Sequence, residues 1–460
     1  MPKTLHISTA VGLMAVSLGM GSVAIPQTAD TGGLQVTVDF GSRLRFDDNL
    51  NITTPSLGSS TYMTHTLGIG VTSQTSTQSF SAGLSGVLRY GRITGVGTPT
   101  GLGDPNAFVN YQRTGAHSAL SLNSYYRESP VRSLNPEDFI NNNQDLISDS
   151  GTRTAYGGGF ELALGNDTPF GMLIGGKIER RDYTGTTNPD LYASNSASAY
   201  TKARLQFSPG LEGRLEARHY DYQARDVFAT DRQTLQFGFG LSGYVNPTTT
   251  FDASLFQNRI RTTQIGPGTT KISGVSGSLS LTQERTNGNA TATLSRNFDT
   301  SGARYSLSLG RNMELPRGGL SASLGATKVT GGKTYLIGAL KLSHELARGV
   351  LSSSLSRSVQ TSSTDSAIEV TLARLSYQHM ISEDSSLDVS FSYVNSNGVG
   401  VAPVTDRGRA YFRIAYNRDL TADWMLSGGY EMQQSATTGA AAARSNAIFL
   451  SLDRSFRFFP

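Results

Sequence analysis

The chain closes with RSNAIFLSLDRSFRFFP, Arg444 to Pro460. Every second residue read back from the end is Phe458, Phe456, Arg454, Leu452, Leu450 and Ile448, all apolar except Arg454. The positions between them carry Arg457, Ser455, Asp453 and Ser451. A period of two gives a strand one apolar and one polar face. A C-terminal amphipathic strand rich in Phe matches the assembly signal of outer-membrane β-barrels, with Ile448, Leu450, Leu452, Phe456 and Phe458 as its carriers. Pro460 after the aromatic pair and Arg454 within the apolar face depart from that pattern.

The rest of the chain repeats the alternation. Apolar faces recur at Leu34-Val36-Val38-Phe40, Leu67-Ile69-Val71, Phe80-Ala82-Leu84 and Tyr156-Phe160-Leu162-Leu164. Others are Leu235-Phe237-Phe239-Leu241, Phe251-Ala253-Leu255 and Phe412-Ile414-Tyr416. No stretch sustains a 3.6-residue period. Cutting at every turn signal leaves about 22 segments of roughly 9–14 residues, near the length that crosses a bilayer at a tilt. Tight connections fall at 165–169, 208–210, 246–249, 286–289, 315–319, 346–349, 382–385 and 421–423. Longer polar ones lie at 47–60, 92–105, 129–150, 184–195, 395–406 and 433–444. This alternation predicts an all-β, antiparallel, up-and-down transmembrane barrel with tight periplasmic turns and long extracellular loops. Short connections at 299–302 and 330–332, on the side where long ones are expected, leave open a count of 18 or 20.

Segments 278–300, 306–330 and 339–361 are variants of one hairpin, each with Glu four residues before Gly: Glu284/Gly288, Glu314/Gly318 and Glu345/Gly349. A repeat of about 30 residues also suits propellers and solenoids, but neither accounts for tight Gly turns joining antiparallel strands.

Composition fits an exported barrel. The 460 residues include no Cys, 51 Gly, 19 Tyr and 20 Phe against one Trp, and mean hydropathy is −0.25. Barrels escape hydropathy scans because half of each strand faces a polar lumen. At the N-terminus Lys3, the apolar run Ala10–Met20 and Ser22-Val23-Ala24 read as a secretory signal peptide over residues 1–24. A short periplasmic segment, 25–33, and a barrel, 34–460, are expected to follow. Without residues 1–24 the chain holds 38 basic and 35 acidic side chains, a balance that points away from nucleic acid. The address is the cell outer membrane; the expected partners are outer-membrane lipid, lipopolysaccharide and the barrel assembly machinery.

Three stretches carry a resemblance to a known family: RLRFDDNLNIT (Arg43–Thr53), GNDTPFGMLIGGKIERRDYTG (Gly165–Gly185) and RLEARHYDYQARD (Arg214–Asp226). In these and in its barrel pattern the chain resembles the Gram-negative outer-membrane barrels called putative β-barrel porin 2, which include barrels linked to exopolysaccharide export. The resemblance implies a barrel of 16–22 strands without a plug domain and without established chemistry.

If apolar faces meet lipid, the opposite faces of 170–183, 197–207 and 211–223 line the lumen. They carry Lys177, Glu179, Arg181, Lys202, Arg204, Arg214, Glu216 and Arg218, with Tyr220 and Tyr222 beyond. Such a patch would draw an anionic or neutral polysaccharide along a substrate path, the two Tyr stacking on sugar rings. The alternative is a wall ladder of Arg–Glu pairs that satisfy one another. Loop 129–150 gathers Glu137, Asp138, Asn141, Asn142, Asn143, Asp145 and Asp149 around Phe139-Ile140. It suits a cation site, an inward constriction or a solvated loop, although the EF-hand spacing is absent. Asp47-Asp48-Asn49 has the same ambiguity.

No catalytic constellation emerges. His6, His65, His117, His219, His344 and His379 sit in no Gly-x-Ser-x-Gly or His-x-x-x-His setting. The expectation is a non-enzymatic channel or export-associated pore for polar solutes, plausibly polysaccharide, without cofactor or metal. Alternatives are a structural or surface-exposed barrel, a barrel hydrolase and a soluble β-repeat protein.

Overall fold

The computed structural model describes residues 33–95, 102–131, 146–147, 149–362, 366–399 and 405–458. The expected signal peptide and, but for Gly33, the short segment after it lie outside these residues.

Among the described residues the chain forms β1 (Leu34–Asp47), β2 (Ser60–Gln74), β3 (Gln78–Arg92), β4 (Leu102–Thr114), β5 (Ser118–Pro130), β6 (Thr152–Leu164) and β7 (Phe170–Thr184). Next come β8 (Ser194–Ser208), β9 (Leu211–Ala224), β10 (Asp231–Asn246), β11 (Thr249–Gln264), β12 (Gly268–Arg285), β13 (Gly288–Asp299) and β14 (Gly302–Leu315). The remainder are β15 (Gly318–Val329), β16 (Thr334–Leu346), β17 (Gly349–Thr361), β18 (Ala367–Ser382), β19 (Ser385–Gly398), β20 (Arg407–Asp419), β21 (Trp424–Thr437) and β22 (Ala443–Phe458). Each strand pairs antiparallel with its neighbours in sequence, and β1 pairs with β22 from Val36↔Phe458 to Asp47↔Ala447. The sheet closes on itself and leaves no edge.

Directly paired residues share a face. From Phe458 the register carries the outward face through Val36, Val38 and Leu44 on β1 to Val71, Ile69 and Met63 on β2. Ile448 and Leu450 are exposed on the outside, whereas Phe449 between them is buried inside. Outward aromatics line both rims, as in bilayer-spanning barrels. Phe46, Tyr90, Tyr126 and Tyr156 lie near one rim; Phe80, Phe170, Phe207, Tyr416 and Trp424 lie near the rim of the termini. Among the described residues no helix is long and apolar enough to cross a membrane.

The count settles at 22 because the connections at 300–301 and 330–333 are true outer turns. The outer ends of β17, β18 and β19 contact this stretch of rim. Arg304 Nη1 donates to Thr361 Oγ1 at 2.7 Å, and Tyr335 Oη to the Val399 carbonyl at 2.9 Å. Val329, Ala367 and Val399 pack together, with Tyr335 and Val359 against them.

The hairpin repeat has a mechanical reading. The N–H of Glu314 bonds the Asn287 carbonyl in the preceding turn at 3.0 Å, and that of Glu345 bonds the Arg317 carbonyl at 2.8 Å. Each Glu backbone thus docks its hairpin on the one before. Gly318 has φ +149°, and a Cβ there would overlap the Ser343 carbonyl of the next hairpin, so this position takes only Gly.

Asp47-Asp48-Asn49 is the clasp of the closed ring. Ser445 Oγ donates to Asp47 at 2.8 Å, and the Asn446 backbone and side-chain N–H groups donate to Asp48 at 2.7 and 2.6 Å. Asn49 Nδ2 donates to the Arg444 carbonyl at 2.9 Å. These oxygens join the two ends of the barrel.

Candidate functional site

Register from Lys177↔Ser198 through Arg204↔Arg214 and Lys202↔Glu216 to Ser196↔Tyr222 puts all ten residues of the β7–β9 patch on the luminal face. Most of its charge is already paired. Glu179 takes Arg181 Nε at 2.7 Å and Lys177 Nζ at 2.8 Å; Glu216 takes Arg218 at 2.9 Å and Arg214 at 3.1 Å. Arg214 also reaches over β10 to Asp252 on β11, at 2.7 Å from Nη2 to Oδ1. It can do so because Gly240 lies beneath it, where a Cβ would fall inside the guanidinium. Arg204 serves the periplasmic turn after β6: its Nη2 donates to the carbonyls of Gly165, Asn166 and Thr168.

The patch therefore divides. Arg181, Arg204 and Arg214 brace the wall. Lys202 has no hydrogen-bond or ion-pair partner among the described residues, and the Lys177 and Arg218 side chains are each more than half exposed to the lumen. The two Tyr divide as well. The ring of Tyr222 is covered by the Arg232 guanidinium at 5.5 Å and its hydroxyl bonds Tyr192. One face of that ring is thus covered, whereas Tyr220 keeps 40% of its surface exposed.

A second luminal cluster went unseen in the sequence. Glu431 on β21 is almost fully buried and receives Arg43 at 2.6 Å, Arg45 at a shorter distance, and Arg413 at 3.8 Å. Arg43 also lies over the Phe449 ring at 3.9 Å. Alternation around Leu44 and Phe46 could have turned Arg43 and Arg45 inward. Their acid lies nearly 400 residues away, and only ring closure brings it near.

Described residues of two outer connections reach the opposite wall. In connection 131–151, Leu146 packs on the luminal faces of β18 and β19, against Ile368, Val370, Leu372 and Val394. Its neighbour Ile147 joins Val131, Leu191 and Tyr183, and the Ile147 carbonyl accepts from Arg409 on β20 at 3.2 Å. Connection 185–193 reaches the same wall: Asp190 pairs with Arg407 of β20 at 2.8 Å. β20 lies ten strands from β8 one way round the ring and twelve the other, so this contact spans the opening.

Asp149 ties the two loops together. It accepts from the backbone N–H groups of Thr187 and Asn188, each at 2.8 Å, and of Ser150 at 2.7 Å. Partial burial disfavours its charge, but these donors outweigh that and hold its pKa below the ordinary value. The sequence signal for the inward fold was Leu146-Ile147, an apolar pair in an acidic loop. Phe139-Ile140 and the acidic residues from Glu137 to Asp145 lie outside the described residues.

No sequence family and no characterised protein sequence matches the chain. Solved structures do. A ferric enterobactin receptor, PfeA, is 10% identical with a TM-score of 0.53 over 92% of this chain and 82% of its own. The FrpB iron transporter from Neisseria meningitidis is 9% identical, TM-score 0.58, over 92% and 81%. The copper transporter OprC is 12% identical, TM-score 0.54, over 92% and 81%. At this identity the likeness is one of fold: a closed 22-stranded barrel of the outer-membrane type.

Proposed function

We propose that the chain is a non-enzymatic outer-membrane barrel that passes polar, preferentially anionic solutes, with its outer mouth held shut by Leu146, Ile147 and connection 185–193. The observation that carries this reading is the bridge from the β5–β8 wall to the β18–β20 wall, set over a lumen bearing under-paired cations. At 22 strands the interior is too wide for wall side chains to fill, so closure needs such a device. The fold neighbours are named as a ferric enterobactin receptor, an iron transporter and a copper transporter, which supports solute transport as the class. Anionic or neutral polysaccharide as the solute, membership of the barrel porin group and a lumen without a separate plug domain are parts of the proposal. In the same reading residues 1–24 direct export, and Ile448, Leu450, Leu452, Phe456 and Phe458 present the terminal strand to the assembly machinery.

Lys177, Lys202 and Arg218 are the residues proposed to set selectivity; Arg181, Arg204 and Arg214 are committed to the wall. Under a salt gradient across a planar bilayer the protein should favour anions at low salt, the preference fading as the Debye length shortens. Changing Lys177, Lys202 and Arg218 together to Gln should remove the preference and leave folding intact. Unchanged selectivity would reduce the patch to a wall ladder. If neither the protein nor a variant with released loops conducts, the alternative of a structural barrel holds.

A further inference from the structure

Some outward-facing cations on the barrel find partners within the chain, while others such as Arg92, Arg113, Lys328 and Arg418 stand singly. Arg180 pairs with Asp182, Arg357 with Glu369, and Arg296 donates to the Tyr305 hydroxyl. Three on neighbouring strands do not. Arg259 and Arg261 on β11 and Lys271 on β12 are exposed, and none has a hydrogen-bond or ion-pair partner among the described residues. Register places them on the outer surface: Arg259 is paired with Leu235 and Ser273, and Arg261 with Gln233 and Lys271. Phe237, Leu255, Val275 and Leu279 are exposed on the same face toward the membrane interior, and Leu235 is level with Arg259. The cations begin where that apolar belt stops, on the rim away from the termini.

Arg261 and Lys271 are directly opposed, a placement in which like charges repel across strands, and Arg259 stands two residues along the same face. Asp231, the acid on neighbouring β10, is opposed to Thr263 through β11 and forms no ion pair with any of the three. Three cations converging without a counter-charge just above a lipid-facing belt form a site for an anion fixed at headgroup depth. We propose that Arg259, Arg261 and Lys271 bind the phosphorylated headgroup of an outer-leaflet lipid, whose acyl chains lie along Leu255 and Val275. Bidentate Arg–phosphate contact suits this geometry, and the site is independent of what crosses the lumen.

The test uses the full-length barrel in neutral detergent, titrated with diphosphoryl lipid A and observed by native mass spectrometry, with inorganic phosphate and phosphatidylcholine as separate probes. The protein should retain lipid A and not phosphatidylcholine. The variant with Arg259→Gln, Arg261→Gln and Lys271→Gln should bind roughly fivefold more weakly per cation lost, on the order of 100-fold in all. A charge-preserving Arg261→Lys, Lys271→Arg variant should keep most of the binding, and Lys271→Gln alone supplies the reading if the triple variant loses its heat-modifiable gel shift. Undiminished lipid A binding by the Gln variants would overturn the proposal. So would inorganic phosphate occupying the site as well as lipid A does, since the occupant would then be a free anion.

Discussion

An arginine on a lipid-facing strand is tolerated where its head reaches water or a partner and costly where it does not. Arg454 interrupts the apolar face of β22, and its guanidinium lies 4.1 Å from the Phe456 ring centre and 5.1 Å from that of Trp424. It ends 3.5 Å from Asp423 in the periplasmic turn. The side chain lies in the interface and directs its charge out of the membrane. Leu450, four residues along the same face, is exposed to lipid. Leu450→Arg should therefore destabilise the barrel by about 2–4 kcal/mol, whereas luminal Arg457→Ala should unfold with the wild type. Urea unfolding in lipid vesicles distinguishes them; equal stability of Leu450→Arg and wild type would mean that the register of β22 is wrong.

At the scale of strands and loops, the repeated hairpins and the crossing loops make separate claims. Gly318→Ala should cost at least about 1 kcal/mol, since φ +149° and the Ser343 carbonyl both exclude a side chain. The neighbouring Gly319→Ala meets nothing nearer than 3.7 Å and should be tolerated. Matching unfolding curves for the two would remove the steric argument. Asp149 makes the loop latch pH-dependent in a defined direction. Its folded pKa lies below the ordinary value of about 3.9, so its contribution is complete above that value and is lost as pH falls through the lower folded pKa. Limited proteolysis with an acid-active protease should find 185–193 protected at pH 5 and cut progressively below about pH 4; Asp149→Ala should expose it at neutral pH. Protection unchanged by both would show that Asp149 does not hold the loops.

For the whole molecule, β-barrel closure separates what was legible in the sequence from what was not. Period-two faces, tight turns and the position of Lys177 to Tyr222 on one face are local and could be read along the chain. The Glu431 cluster, the Asp48–Asn446 clasp and the seat of Leu146 on β18–β19 join residues hundreds of positions apart, and no local pattern announces them. Nor does the chain announce the Arg232 guanidinium that covers one face of Tyr222 from the next strand. The central claim is that the described wall encloses a solute path shut at its outer mouth by loops anchored on the far wall. Planar-bilayer conductance tests it most directly, comparing the protein with a variant carrying Leu146→Ser, Asp190→Asn and Arg407→Gln. The protein should show only small or brief openings, and the variant a larger, steady conductance with the same heat-modifiable gel shift. A folded variant that conducts no more than the wild type would contradict the account.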